Sequence, residues 1–198
     1  MFHEKTLLPY FLNSGGLAKS MISLTREQID SALGKLRKPV ETYSWLQRRL
    51  HLVNVSEDRD FQRRFAGYYR VRFLKPVPRQ KLFDLLEELK NVPADYGSIL
   101  EKLSATTGRM EESFASKVAA TIDSTLPVID SWVRDNLCLS RASSTENAKE
   151  IHQKICEQYA EFLSTETGEY LIKRFAQAYP ETHITHVKML DFVLWQTR

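Results

Sequence analysis

A lysine in a short apolar helical run and an aspartate at the head of the next element are the residues of this chain best placed to do chemistry. Lys117 stands in Phe114-Ala115-Ser116-Lys117-Val118-Ala119-Ala120, and Asp130 in Leu126-Pro127-Val128-Ile129-Asp130-Ser131-Trp132-Val133. An amine wrapped in apolar and small residues is desolvated, which lowers its pKa and supplies the free base a nucleophile needs at neutral pH. The plainer alternative is an exposed helix lysine lying along its own stem. Asp130 has the type and position of a helix N-cap. In a water-poor pocket a carboxylate so fixed also stabilises positive charge that develops in a transition state.

The order of these residues, a helical lysine, a short apolar stretch and then Pro-Val-x-Asp-x-x-Val, resembles the core of the helix-hairpin-helix DNA glycosylases over about residues 105 to 139. More loosely, Lys188-Met189-Leu190-Asp191-Phe192-Val193-Leu194-Trp195 is similar to a late helix of 8-oxoguanine glycosylase-like proteins. The resemblance implies excision of a damaged or modified base from DNA, in repair or in defence against phages. It assigns Lys117 to attack on the sugar C1′, with abasic-site lyase activity as a consequence, and Asp130 to support of the charge that develops as the base leaves. Without the lysine the reaction would be hydrolysis by water near Asp130. The family's Leu-Pro-Gly-x-Gly hairpin is replaced by Ala105-Thr106-Thr107-Gly108-Arg109, Lys117 lies nine positions after Gly108, and Lys117 and Asp130 are 13 apart. Two cysteines, Cys138 and Cys156, provide neither a disulfide framework nor the four ligands of an iron-sulfur cluster. No cofactor is expected.

DNA as the partner draws on a second stretch. Phe61 to Lys75 interleaves five aromatic residues with five positive charges. Arg63, Arg64, Arg70 and Arg72, with Arg109 in the hairpin segment, are candidates for phosphate contact. Tyr68, Tyr69, Trp132 and Trp195 are candidates to line a pocket for an extruded base, with Trp45 beside them. Phe61 and Phe65, at helical spacing, read as core. Net charge is +3, yet residues 1 to 80 hold 15 Lys and Arg against 7 Asp and Glu, while residues 81 to 198 hold 13 against 18. Such lopsidedness makes a basic face of the N-terminal half, directed at phosphates or at the chain's own acidic half. The competing functional class is a non-catalytic helical DNA-binding or interaction module; a helical regulator with no nucleic-acid role is a third.

The elements that must position these residues read as helices almost throughout. Thr25 and Gln28 have capping-box spacing ahead of Ile29, Leu33 and Leu36, with Pro39 as the stop. A second helix is expected from about Thr42 to Leu52, a third capped by Ser56, then a break at Pro76-Val77-Pro78. Apolar rhythm returns from Leu82 to Leu89 and from Asp95 to Leu103. Glu111 to Ile122 is the lysine helix, and Asp130 to Leu139 follows the proline turn. Ser143 and Glu146 pair as a capping box before an inner face of Ala148, Ile151, Ile155, Tyr159 and Phe162; Tyr170–Ala178 and Val187–Thr197 complete the set. Tyr68 to Phe73 is the one candidate strand. The pattern predicts an all-α, compact multi-helix bundle in one domain over 1–198, with a basic half at 1–80, a catalytic core at 95–139 and C-terminal helices at 143–198. His183, His186 and Asp191 offer too few ligands for a metal, so none is expected, and Asp191 in an apolar helix must be hydrogen-bonded. The N-terminus has no signal-peptide pattern and no segment reaches membrane-spanning length, so a cytoplasmic monomer is expected.

Overall fold

Side-chain caps set most of the helix starts. The computed structural model describes residues 22–71, 76–137 and 139–197, and these form ten helices and no strand. In chain order they are α1 (Arg26–Leu33), α2 (Arg37–Leu50), α3 (Arg59–Tyr68), α4 (Pro76–Leu89), α5 (Tyr96–Thr107), α6 (Glu112–Ile122), α7 (Ser131–Asn136), α8 (Thr145–Leu163), α9 (Glu166–Ala178) and α10 (His186–Gln196). Thr25 and Gln28 close a full capping box on α1, and Asp95, Asp130 and Thr185 cap α5, α6's successor α7, and α10. The fold is an all-α multi-helix bundle, as the apolar periodicity requires.

Several boundaries differ from the sequence expectation, each for a local reason. Pro39 lies in the first turn of α2 and Pro76 and Pro78 open α4. A proline is tolerated there because the first-turn N–H groups have no intrahelical acceptor to lose. The cap of α3 is Asp58, whose carboxylate accepts from Phe61 N–H, and not Ser56; that of α8 is Ser144, which accepts from Asn147 N–H, and not Ser143. The expected strand from Tyr68 is not formed over its described part: Tyr68 ends α3 and the chain turns through Tyr69 and Arg70. Phe61, Phe65 and Tyr68 or Tyr69 repeat on one helical face, and burying that face outweighs the strand preference of the aromatics. Residues 72 and 73 lie outside the described residues. Among the described residues no helix is long and apolar enough to cross a membrane.

The core runs through the whole bundle. Phe65 of α3 gathers Phe61, Tyr69 and, edge-on, Phe83 of α4 around it at ring centroids 4.7–5.8 Å, and Tyr43 of α2 meets Phe192 of α10 edge-on at 5.7 Å. On α8, Ala148, Ile151, Ile155, Tyr159 and Phe162 are all buried. Each such aromatic or aliphatic side chain contributes about 1.5–3 kcal/mol on burial. The α8–α9 corner is sharper than side chains allow elsewhere: an added Cβ on Gly168 would lie 2.3 Å from the Phe162 carbonyl and 2.7 Å from Leu163 Cα. At Gly67, on the exposed side of α3, an added Cβ meets nothing within 4 Å.

Gly168→Ala is therefore expected to lower unfolding free energy by about 1–3 kcal/mol, whereas Gly67→Ala should be neutral or raise it by up to about 1 kcal/mol. Chemical denaturation of both variants checks this; equal effects would mean that the corner relaxes freely.

Candidate active site around Lys117 and Asp130

Lys117 lies on α6, the second helix of a pair. Helix α5 ends on Gly108, whose φ of 68° lets its N–H close the last turn on Ser104, and after three intervening residues α6 begins at Glu112. Glycine adopts that left-handed conformation at no steric cost. The two helices pack against each other as a hairpin, with Arg109 exposed in the turn.

The lysine is 8% exposed. Its Nζ donates to Ser113 Oγ one turn back at 3.0 Å and stands 5.0 Å from the centroid of the Phe114 ring. Burial pulls the ammonium pKa down to about 8; the charge of Asp130 pulls it up and that of Arg70 pushes it further down. Lys117 thus feels the charges of Asp130 and Arg70, which come from two other parts of the chain.

Asp130 is half-buried and caps α7, its Oδ1 accepting from Val133 N–H at 2.9 Å. Three ties hold the turn that carries it against α6 and α10. Ile129 N–H donates to Ser116 Oγ at 2.9 Å, one residue before the lysine. Arg134 pairs with Glu112 at 2.9 Å, both buried, joining α7 to the first turn of α6. Val128 N–H donates to the buried Asp191 carboxylate at 3.3 Å. That carboxylate also accepts from Lys188 Nζ at 2.6 Å and from the Tyr159 hydroxyl at 2.9 Å. Burial raises the Asp191 pKa, with Lys188, Tyr159 and the Val128 amide opposing. The required hydrogen bond of Asp191 is therefore a three-donor set.

The remaining sequence candidates divide by environment. Arg63 and Arg64 are both exposed and both paired with Asp60, and Arg64 also covers the Trp45 ring at 4.3 Å. Arg70 is exposed. Arg72 lies outside the described residues. Tyr68, Tyr69 and Trp195 come together in one aromatic cluster with centroids 4.7–6.4 Å apart. Tyr69 is enclosed, its hydroxyl 3.2 Å from Thr121 Oγ1, whose own proton goes to the Lys117 carbonyl at 2.6 Å. Tyr68 and Trp195 are half-buried, and so is Trp132, two residues beyond Asp130 on α7. Sequence reasoning missed Ser113, Ser116 and the Glu112–Arg134 pair; only Ser113, one helical turn from Lys117, carries a local signal.

Two hollows are formed away from Lys117. One of about 160 Å³ lies between Ile22–Leu24, α7 and the end of α10, lined by Val133, Leu137 and Leu194. Another, about 270 Å³, opens where Tyr96 stacks on His152 at 4.1 Å, beside Lys149. Among the described residues no three His, Cys, Asp or Glu side chains gather as metal ligands. Compared with family models, with curated proteins and with solved structures, the chain matches none.

A buried lysine held by a hydroxyl instead of a carboxylate weakens the fold. The depression from 10.5 to about 8 corresponds to about 3 kcal/mol of destabilisation below pH 8. At Lys117 the folded state binds fewer protons than the unfolded chain between about pH 8 and 10.5, so this residue's contribution to stability rises with pH across that window, opposed from about pH 9 by the Cys156 thiol, which burial pushes up to about 12. Lys117→Met should raise unfolding free energy at pH 7 by about 1–3 kcal/mol, and its advantage over wild type should shrink between pH 8 and 10.5. Denaturation from pH 7 to 10.5 tests it, and a variant less stable than wild type at pH 7 would show the ammonium to be satisfied.

Proposed function

We propose that this protein is a divergent DNA glycosylase of the helix-hairpin-helix kind, excising a damaged or modified base with Lys117 as nucleophile and Asp130 as the stabilising carboxylate. The observation that carries this reading is the buried Lys117 amine, with its pKa drawn down to about 8, in the field of the Asp130 carboxylate. At neutral pH that shift supplies roughly 300-fold more free amine than an ordinary lysine. Support also comes from the α5–Gly108–α6 hairpin ahead of the lysine and from the N-cap position of Asp130 after a buried Pro127.

The chemistry runs as follows. As the bond between C1′ and the base nitrogen breaks, the base takes the electron pair and positive charge spreads over C1′ and the ring oxygen. The Asp130 carboxylate stabilises that charge. The Lys117 lone pair forms the new bond to C1′, the resulting ammonium gives up a proton, and ring opening leaves an imine on the opened sugar. Loss of a C2′ proton then expels the 3′ phosphate and nicks the strand. Tyr68, Trp132 and Trp195 supply half-buried aromatic faces against which an extruded base can stack.

Borohydride present during reaction should reduce the imine to a stable amine and trap a protein–DNA adduct on modified-base or abasic duplexes. Asp130→Asn should lower base release by at least ~100-fold while binding stays close to wild type. Lys117→Met should form no adduct. Base release without adduct or nicking would transfer the attack to water near Asp130. Salt-dependent DNA binding with neither release nor adduct would favour the non-catalytic DNA-binding module.

A further inference from the structure

We propose that Arg70 is the phosphate-binding residue of the Lys117 site, gripping a backbone phosphate that flanks the reacting sugar; the inference rests on the nucleic-acid reading above. Its backbone is the first indication. Arg70 has a φ of 55°, a left-handed conformation that non-glycine residues seldom adopt. Arg70 directly follows Tyr69, the C-cap of α3, where a left-handed residue commonly ends a helix and glycine is usual, so a long side chain there holds a conformation that costs it energy.

The surroundings here are explicit. Tyr69 before it and Val71 after it are both buried, 2% and 0% exposed, while Arg70 itself is exposed. Tyr69 is anchored beside Thr121, one turn beyond Lys117 on α6. The chain is held on both sides of Arg70, on the Tyr69 side by contact with α6, so its side chain starts from a fixed point. Arg63 and Arg64 are engaged by Asp60, whereas Arg70 forms no ion pair with the described residues.

The ligand follows from the chemistry of the site. Lys117 feels the positive charge of Arg70 and the negative charge of Asp130, after its burial the two influences on its amine. A guanidinium acting on an amine whose pKa is drawn down to about 8 fits an anion on the arginine side and an electrophilic carbon on the amine side. A sugar-phosphate unit presents both, and a guanidinium matches phosphate oxygens in a two-pronged fork. Arg70 then has a double role: it docks the phosphate, and until the phosphate arrives its charge favours the neutral form of Lys117.

The test uses the full chain and an abasic duplex, with borohydride trapping as readout. Arg70→Gly relieves the left-handed strain, so a loss with this variant does not arise from a backbone that can no longer turn. It should raise KM about tenfold, reduce the slope of log affinity against log salt by about one, and move the pH midpoint of trapping upward. Arg70→Lys should recover most of the salt slope. Replacing the flanking phosphates one at a time by neutral methylphosphonate should weaken wild type at one position and leave Arg70→Gly insensitive there. If wild type traps the duplex but Arg70→Gly keeps its KM, salt slope and pH midpoint, the Arg70 assignment is overturned and the nucleic-acid reading stands. If wild type neither traps nor binds the duplex, both fall.

Discussion

A single buried carboxylate organises the part of the molecule in which chemistry is possible. Asp191, 2% exposed on α10, accepts hydrogen bonds from Lys188 on its own helix, Tyr159 on α8 and the Val128 amide in the turn before α7. An isolated ion at this depth would be strongly disfavoured, but three donors, one of them charged, replace the water it has lost. Because one donor is a backbone N–H, the carboxylate fixes main chain as well as side chains. Val128 is two residues from Asp130, so the position of the α7 cap depends on α8 and α10 jointly. Loss of Asp191 would leave Lys188 buried without its counter-charge, a costlier change than replacing the pair together.

The two buried lysines show how differently the same side chain is used. Lys188, 1% exposed, meets a carboxylate at 2.6 Å and the face of Tyr43 at 5.5 Å, and its charge is part of the architecture. Lys117, 8% exposed, meets a serine hydroxyl and the face of Phe114. A hydroxyl accepts one hydrogen bond but does not neutralise, so desolvation dominates and the amine is poised near its uncharged form. Apolar residues of similar volume would fill that space without this penalty. An ionisable group in an environment that opposes its charged form is what the proposed reactivity of Lys117 needs.

Local determinants were legible in the sequence and long-range ones were not. The Thr25–Gln28 box, the caps at Asp130 and Thr185 and the inner face of α8 each involve residues at most a few turns apart, so type and spacing suffice to read them. The need of Asp191 for partners followed from its apolar neighbours, and Lys188, three residues earlier, was within helical reach. Tyr159 and Val128, 32 and 63 residues away, were not foreseeable, since nothing in either segment signals a buried carboxylate opposite. The strand expected from Tyr68 failed because aromatic residues suit a strand and a buried helical face equally, and the contact with Phe83 that decides between them is a tertiary one. The placement of Lys117 beside Asp130 required the Ser116–Ile129 and Glu112–Arg134 ties, neither of which has a motif.

The depth of Lys117 constrains how a nucleotide could reach it. The amine sits in the middle of α6, five residues after the helix begins, with Ala115, Val118 and Ala119 fully buried around it. A C1′ carbon inside an intact duplex lies beneath both strands' backbones and cannot approach such an amine without leaving the stack. Excision at this site therefore requires that the nucleotide be extruded, at a cost of a few kcal/mol in lost stacking and pairing. A residue gripping the adjacent phosphate offsets part of that cost by fixing the extruded conformation, and aromatic faces offset more. Tyr68 and Arg70 adjoin Tyr69, whose hydroxyl meets Thr121 of α6; Trp132 lies on α7 beside the Asp130 cap, and Trp195 meets the Tyr69 ring from α10. Under the proposed chemistry the same packing that desolvates the lysine also holds the groups that would compensate for extrusion, so reactivity and access are set by one set of contacts.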